Sequence, residues 1–263
     1  MSVMPQPAPT PVDPAFVAWL QGLFAFHQLT VRQKLLTLAE KYRVEDPDGQ
    51  PRFWVVRPPR IALNMLAGVA ALSVNVLFLV IAYRTYMNHG EILLPLALLF
   101  VGGNLGLLVR RLLAPYRDIR ICADEAEQWP VLHITQDNKI GFYHRFTVVD
   151  ACGAPVAFVR RHAWRALLRT RWSAETLSGE PICEVIEDSL TLSALRRYLG
   201  PLYGMLRTNF DFLLPGGQRI GEYNRKLTLT DQYLLNVADD PAYLVDRRMV
   251  LALAILLDTG ERR

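Results

Sequence analysis

The chain has 263 residues, of which 51% are hydrophobic and 21% are charged, and its formal net charge is +4. The apolar fraction is high for a soluble globular protein, while so small a positive charge does not indicate nucleic-acid binding. No helix-turn-helix, RNA-binding aromatic motif or zinc-finger spacing occurs, so no nucleic acid is expected as a partner. The three cysteines are far apart and form no C-x-x-C pair. A disulfide framework, a metal site and a cofactor are therefore not expected.

The N-terminal segment, residues 1–26, starts with a proline-rich run and lacks the basic region and apolar core of a secretory signal peptide. Residues 1–14 are predicted to form a disordered tail. Residues 16–26, FVAWLQGLFAF, are apolar and aromatic but too short to span a bilayer. They are expected either to lie on the membrane surface or to pack on the main domain.

Two apolar segments without a charged residue follow, at 61–83 and 92–109. About 20 helical residues cover the hydrocarbon core of a bilayer, which is roughly 30 Å thick. Buried helices of a soluble core are the alternative, but such helices normally carry a polar stripe. Because the connection 84–91 is short, the spans must be antiparallel neighbours. Residues 58–113 are therefore predicted to form a transmembrane hairpin.

Arginines are distributed unevenly around this hairpin. Only Arg84 lies in the connection, whereas seven arginines flank the outer ends of the two spans. Lys and Arg are retained on the cytoplasmic side, which predicts an integral protein of the plasma (inner) membrane with both soluble parts in the cytoplasm. The flanking arginines are Arg52, Arg57, Arg60, Arg110, Arg111, Arg117 and Arg120.

Small and polar residues in the spans predict how the helices pack. Small side chains let helix backbones approach closely in lipid, and asparagines can hydrogen-bond within the hairpin or across a homodimer. With no charge embedded in the spans, a transport pathway is the less favoured interpretation. The predicted packing residues are Ala67, Ala71, Asn75, Gly102, Asn104 and Gly106.

The soluble part repeats one pattern, an apolar strand followed by a turn with Asp, Gly or Pro and a second apolar strand. Period-2 alternation around such turns predicts β-hairpins, because glycine supplies the positive φ that the turns need. These β-hairpins are predicted at 42–56, 146–159, 171–187 and 211–223. Further strands are predicted at 118–122, 131–135 and 232–238, and a helix at 190–206 that Gly200–Pro201 ends or kinks.

The last predicted element is a helix around residues 249–257, with Asp246 as its N-cap and Gly260 as its C-cap. The helix is apolar on every face, so it must be buried. Nine residues span about 14 Å, half of what a bilayer requires, so this helix is not a third span. A buried helix after many β-hairpins suits the axis of a closed β-barrel, which would also remove exposed strand edges.

The segments LTVRQKLLTLAEKYRVEDPDGQPRFWV (29–55), FTVVDACGAPVAFVRR (146–161) and DRRMVLALAILLDTGERR (246–263) resemble the LURP-one-related and scramblase-like proteins of the Tubby-like superfamily. The resemblance covers roughly 27–57 and 117–263. It implies a mainly β fold, a closed barrel of twelve strands around a central hydrophobic C-terminal helix. The barrel domain would comprise 27–57 and 114–263, with the transmembrane hairpin inserted between early strands.

The resemblance suggests a relation to lipids, because Tubby proteins bind phosphoinositides and scramblases were named for lipid movement. The acidic segment that binds calcium in scramblases is matched only by Asp239, Asp240 and Asp246. These acids lack the regular Asp-x-Asp spacing and the glycine of a calcium loop, so capping and turn formation are the favoured roles.

No catalytic motif such as G-x-S-x-G, H-E-x-x-H or a phosphate-binding loop occurs, and a non-enzymatic protein is expected. Of five scattered histidines, only His133 and His144 are placed to approach each other across neighbouring strands. Without a third ligand, they are more typical of strand surface residues.

The most distinctive chemistry is the run RRHAWRALLRTRW at 160–172. Arginine binds phosphate through its planar donor fork, and tryptophan prefers the headgroup level of a bilayer. The alternative is a solvated face between two strands, with the tryptophans in the core. The candidate headgroup-binding residues are Arg160, Arg161, Trp164, Arg165, Arg169 and Arg171.

Two functions are compatible with this sequence. The first is a membrane-anchored protein that binds, or helps to redistribute, anionic phospholipids at the cytoplasmic face. The second is a membrane-tethered scaffold whose barrel docks a protein partner.

Overall fold

The computed structural model describes residues 14–34, 40–58, 60–139, 141, 143–162, 170–187, 209–226 and 232–261. The strands are β1 (Gln28–Lys34), β2 (Glu40–Glu45), β3 (Pro51–Arg57), β4 (Asp118–Cys122), β5 (Pro130–Gln136), β6 (Tyr143–Asp150), β7 (Pro155–His162), β8 (Arg171–Glu175), β9 (Pro181–Glu187), β10 (Asn209–Leu213), β11 (Arg219–Lys226) and β12 (Gln232–Asn236). The helices in the described residues are α1 (Pro14–Leu23), α2 (Ile61–His89), α3 (Leu93–Leu113) and α4 (Arg247–Glu261).

The twelve strands form one closed antiparallel barrel. Each strand pairs with its neighbours in sequence, and β1 pairs with β12 to complete the circle. The expected barrel of twelve strands is confirmed. Closure leaves no unpaired strand edge among the described strands, which removes the usual site of edge-to-edge aggregation.

The antiparallel order gives the barrel two distinct ends. The helices α2 and α3, here called the helical hairpin, connect β3 to β4, and the end where they leave is called the hairpin end. The connections β5–β6, β7–β8, β9–β10 and β11–β12 leave at this same end, because every second strand runs in the same direction. The opposite end, called the turn end, carries the short β-hairpin turns.

Four of these turns share one geometry, and they are the four β-hairpins expected from the sequence. In each turn a glycine adopts positive φ and donates its N–H to the carbonyl oxygen three residues earlier, as Gly49 does to Asp46 at 3.0 Å. The strand register shifts by one residue beside each turn. Glycine is needed because side chains disfavour that conformation. The glycines are Gly49, Gly153, Gly179 and Gly217.

The helix α4 fills the barrel. Residues 249–257 are at most 1% exposed and pack against inward-facing side chains of the strands. Asp246 caps the N-terminus by accepting a hydrogen bond from the Arg248 N–H at 2.8 Å. The helix continues to Glu261, so Gly260 lies inside it instead of acting as the expected C-cap. The expected central helix is confirmed, with one additional turn at its C-terminal end.

The helical hairpin is also longer than the predicted spans. α2 continues to His89 and ends at Gly90, whose φ of 67° lets its N–H bond to the Tyr86 carbonyl oxygen at 2.8 Å. The connection between the two helices is therefore only residues 90–92, where 84–91 was expected. Both helices are long and apolar enough to cross a membrane, and only 17% of the most apolar window of each is buried.

The segment before β1 packs on the barrel at the turn end. α1 contacts the core through Leu20 and Leu23, and the Phe24 ring lies 5.2 Å from the Phe53 ring. Of the two positions expected for residues 16–26, the structure therefore has packing on the main domain, at the end opposite to the helical hairpin. Of the tail predicted at 1–14, residues 1–13 lie outside the described residues, and Pro14 is the first residue of α1. The predicted helix at 190–206 also lies outside the described residues.

Candidate functional site at the hairpin end

The predicted arginine run divides into three parts in the structure. Arg160 and Arg171 lie on the outer wall, where Arg160 pairs with Glu175 at 3.0 Å and Arg171 pairs with Glu184. Their charges are already neutralised by carboxylates. The members that lie outside the described residues are Trp164, Arg165 and Arg169. Their connection, between β7 and β8, leaves the barrel at the hairpin end.

Arg161 has a different environment from its neighbour Arg160. Alternate residues of a strand face the same side. Ala157 and Val159 of β7 are buried inside the barrel, so Arg161 also faces inward. Its guanidinium lies 5.5 Å from the ring centroid of Trp172, which is completely buried. Arg161 therefore lies at the inner rim of the barrel, where α4 ends.

Four basic side chains, here called the junction cluster, lie where the helical hairpin joins this rim. Arg111 comes from the last turn of α3, and its Nη2 lies 3.2 Å from His144 Nε2 at the start of β6. His144 is opposite Arg161 in the β6–β7 register. Lys139, in the β5–β6 connection, donates to the Leu112 carbonyl oxygen at 2.7 Å and lies 4.4 Å from the Tyr116 ring. The cluster is Arg111, Lys139, His144 and Arg161.

The positive charges of Arg111 and Lys139 are not balanced by their described partners. Arg111 and Lys139 bond to an imidazole nitrogen and a carbonyl oxygen, and no described carboxylate pairs with either of them. The pKa of His144 is lowered by its burial and by the neighbouring charges of Arg111, Arg161 and Arg117, although the Asn138 backbone acts in the opposite sense. His144 is therefore neutral at pH 7 and accepts a hydrogen bond from Arg111.

The region beside the junction cluster fixes the helical hairpin to the barrel. Arg60, just before α2, pairs with Asp118 of β4 at 3.1 Å, and Asp118 also contacts His133. Arg117 donates to the Thr259 carbonyl oxygen near the end of α4 at 3.3 Å. The hairpin base therefore contacts both the wall and the central helix of the barrel.

The junction cluster was not identified from the sequence. In the sequence Arg111 is one of seven arginines that flank the spans, and Lys139 and His144 stand in no motif. The three residues are separated by up to 33 positions and meet through the β5–β6 connection and the end of α3. The only sequence signal for this cluster is the basic character of residues 110–117, which contain Arg111.

Inside the helical hairpin, the predicted packing glycines of α3 lie against α2. A methyl group added to Gly102 would overlap the Phe78 side chain, and one added to Gly106 would overlap that of Asn75. Ala67 and Ala71 are buried. Asn104 is exposed and donates to the Phe100 carbonyl oxygen of its own helix at 2.8 Å.

The acidic residues before α4 have structural contacts. Asp240 is buried and accepts hydrogen bonds from Leu244 N at 2.8 Å and from Arg247 Nη1 at 2.8 Å. Asp246 caps α4 and pairs with Arg248. Among the described residues, no group of three or more His, Cys, Asp or Glu side chains could hold a metal ion.

The two histidines considered from the sequence lie apart. His133 contacts Asp118 and is opposite Val149 near the end of β6, whereas His144 lies at the start of β6 and faces the inner rim. They do not form a common site.

These features define the class of the protein: a closed twelve-stranded barrel around a hydrophobic C-terminal helix, with two apolar helices inserted between its third and fourth strands. The sequence model of the LURP-one-related family matches residues 109–258, which contain β4 to β12 and most of α4. The chain belongs to the LURP-one-related family, within the Tubby-like superfamily.

No curated protein and no solved structure gave a match to the chain. The family match begins at the end of α3, so it includes neither the helical hairpin nor β1 to β3. These three strands nevertheless complete the same barrel, because β3 pairs with β4 and β1 pairs with β12.

Proposed function

We propose that this protein is a membrane-anchored, non-enzymatic barrel that binds anionic phospholipid headgroups through its hairpin end. The observation that carries the proposal is that the apolar helices and the basic residues lie at the same end of the barrel. The two helices suited to a bilayer leave the barrel at the same end as the junction cluster and the β7–β8 connection. A barrel anchored in this way holds its basic residues beside the lipid headgroups.

The anchoring part of the proposal follows from the surface of α2 and α3. Leucine and phenylalanine side chains project from both helices, and Leu72 and Phe100 are 62% and 74% exposed. Each large apolar side chain left in water forgoes about 1.5–3 kcal/mol of burial free energy. A bilayer covers these surfaces. The arginine bias then orients both soluble parts toward the cytoplasm, in the plasma (inner) membrane.

The electrostatic part requires only modest affinity. A basic residue beside an anionic leaflet contributes about 1 kcal/mol, and the effect falls off within a Debye length of about 8 Å. The anchor keeps the barrel at a high effective concentration near the surface, so weak contacts are sufficient. Binding without catalysis also fits the absence of catalytic motifs from the sequence.

The test uses the barrel without its membrane anchor. Because β3 and β4 pair directly, with Val55 opposite Ile121, a short turn can replace residues 58–113. This domain should float with vesicles that contain anionic lipid, should not float with neutral vesicles, and should dissociate as salt is raised. Changing Arg161, Arg165 and Arg169 to glutamine should reduce flotation several-fold.

The matched control changes Arg160 and Arg171 to glutamine, because carboxylates on the outer wall already neutralise both. This control should bind nearly as well as the parent domain. Equal flotation with neutral and anionic vesicles would refute headgroup binding.

A second candidate function, a tethered scaffold, is favoured by a different observation. Several large apolar side chains are exposed at the turn end, away from the helical hairpin, among them Trp129 at 59% and Leu244 at 61%. Exposed apolar residues in one region are typical of protein-binding surfaces. Capture of one stoichiometric partner that is independent of lipid and is lost in Leu244→Asp would favour the scaffold.

A further inference from the structure

The junction cluster lies at a defined depth relative to the apolar part of α3. The last apolar residue before the charges is Val109, and Arg111 follows two residues later, about 3 Å along the helix axis. Lys139 bonds to the Leu112 carbonyl oxygen in the same turn. If α3 spans the bilayer, as the proposed function requires, these two cations lie at the level of the glycerol-linked phosphates of the cytoplasmic leaflet.

The chemistry of the cluster favours a phosphate group with two negative charges. Arg111 and Lys139 each carry a full charge that no described carboxylate neutralises. Arg161 adds to the positive potential from the neighbouring strand, as the lowered pKa of His144 indicates. Two unneutralised cations match a phosphomonoester dianion better than a diester, which carries one charge and has a substituent on a further oxygen.

His144 has a positioning role in this arrangement. Its Nε2 accepts a hydrogen bond from Arg111 Nη2 at 3.2 Å, which uses one N–H of the guanidinium and leaves its remaining donors for a ligand. A neutral imidazole fixes the arginine without cancelling its charge. A carboxylate in the same place would orient Arg111 but would also compete with an anionic ligand.

We propose that the junction cluster is a binding site for one membrane phospholipid with a terminal phosphomonoester, a phosphatidate-type lipid, held by Arg111 and Lys139. This inference rests on the proposed function, since it assumes that α3 crosses the membrane. It differs from that function by assigning a single stoichiometric lipid site to particular residues, apart from the β7–β8 connection.

The experiment uses the full chain, purified in a neutral detergent and examined by native mass spectrometry. Phosphatidate and phosphatidylglycerol of the same acyl chains are added separately, and the fraction of protein carrying one lipid is measured. We expect one phosphatidate to be retained at about tenfold lower concentration than phosphatidylglycerol, since each charge-assisted hydrogen bond changes the binding constant by about tenfold or more.

Two pairs of variants identify the site. Arg111→Gln with Lys139→Gln should lose at least about tenfold in phosphatidate affinity, whereas Arg111→Lys with Lys139→Arg should retain most of it because charge is kept. Arg160→Gln with Arg171→Gln removes the same charge from ion pairs on the outer wall and should bind like the parent. An unchanged thermal unfolding temperature shows that each variant is folded.

The outcomes separate this inference from the proposed function. If the Arg111/Lys139 glutamine variant binds phosphatidate as tightly as the parent, the site assignment is wrong while headgroup binding at the hairpin end stands. Equal retention of the two lipids by the parent overturns the preference for a monoester. Full displacement of phosphatidate by millimolar inorganic phosphate shows a site for free phosphate and overturns the lipid assignment. If the parent retains no anionic lipid, both proposals fail.

Discussion

Two neighbouring arginines at the start of α4 have very different environments. Arg247 is only 2% exposed, pairs with the buried Asp240, and donates to the Phe26 and Asp240 carbonyl oxygens. Arg248 is 31% exposed and pairs with Asp246 at the surface. The Arg247 guanidinium therefore connects the start of α4 to the N-terminal segment and to the β12–α4 connection, at the turn end of the barrel.

This difference predicts opposite results for the same substitution. Arg247→Met should lower the free energy of unfolding by about 3–5 kcal/mol, because it leaves the Asp240 carboxylate buried without its cation. Arg248→Met, the matched control, should change it by about 1 kcal/mol or less, since exposed pairs contribute little. Denaturant unfolding in detergent, followed by tryptophan fluorescence, measures both. Equal losses in the two variants would contradict the assigned role of Arg247.

The pKa of Asp240 is consistent with this environment. Burial alone would raise that pKa, but hydrogen bonds from Leu244 N, Arg247 and Val245 N hold it below the ordinary value. Because the pKa is depressed in the folded state, the stabilisation is present above the unfolded value of about 4 and is lost as the pH falls through the folded value.

At the scale of elements, the small residues of α3 are used within the helical hairpin. The Gly102 and Gly106 positions receive Phe78 and Asn75 of α2, whereas a side chain at Gly103 would meet no atom within 4 Å. The G-x-x-x-G pair therefore lies between α2 and α3, and the Gly103 and Asn104 face is available for a second copy or for lipid.

Gly103 and Gly106 give a matched test of the helical hairpin. Gly106→Leu should destabilise the α2–α3 pair by about 1–3 kcal/mol, because the added side chain overlaps Asn75 and forces the helices apart. Gly103→Leu adds the same volume in open space and should leave the pair intact. The measurement is the temperature at which the detergent-solubilised protein aggregates. A lower temperature in Gly103→Leu but not in Gly106→Leu would show that the helices pack through the other face.

Much of this element-scale structure is predictable because its signals are local. Each of the four predicted β-hairpins carries its own glycine at the turn, and the apolar surface of 249–257 follows from side chains within about three turns of helix. The ends of helices are less predictable. α2 continues through Arg84 to His89 because nothing in that polar stretch breaks a helix, and only Gly90 does so.

At the scale of the whole molecule, the two ends of the barrel should lie at different distances from the membrane. The chain contains a natural reporter of the turn end, because Cys152 is exposed in the β6–β7 turn while Cys122 and Cys183 are buried. Burial raises the pKa of Cys183 to about 12, and burial is also the main cause of the raised pKa of Cys122. Neither buried thiol forms much reactive thiolate at neutral pH.

A membrane-impermeant maleimide should therefore label one site per folded chain. In intact cells it should label none, because the proposed topology places the turn end in the cytoplasm, and in inside-out vesicles it should label Cys152. A cysteine introduced at Asn88, near the connection of the helical hairpin, should react from outside intact cells when Cys152 is changed to serine. Labelling of Cys152 in intact cells would refute the proposed topology.

The sequence by itself determined the features that depend on neighbours along the chain. Two uncharged segments predict the helical hairpin, four glycine turns predict the β-hairpins, and a helix that is apolar on all faces predicts the filled barrel. These patterns are sufficient because burial and turn geometry are set by a few consecutive residues.

The tertiary structure alone decided the environment of each basic residue and which of them pair with the described carboxylates of the wall. In the sequence, Arg160, Arg161 and Arg171 look alike, but strand register pairs the first and third with carboxylates and places the second at the inner rim. The same register, with the end of α3, brings Arg111 to His144. Charge neutralisation depends on contacts across strands and between distant segments, and such contacts exist only once the barrel has closed.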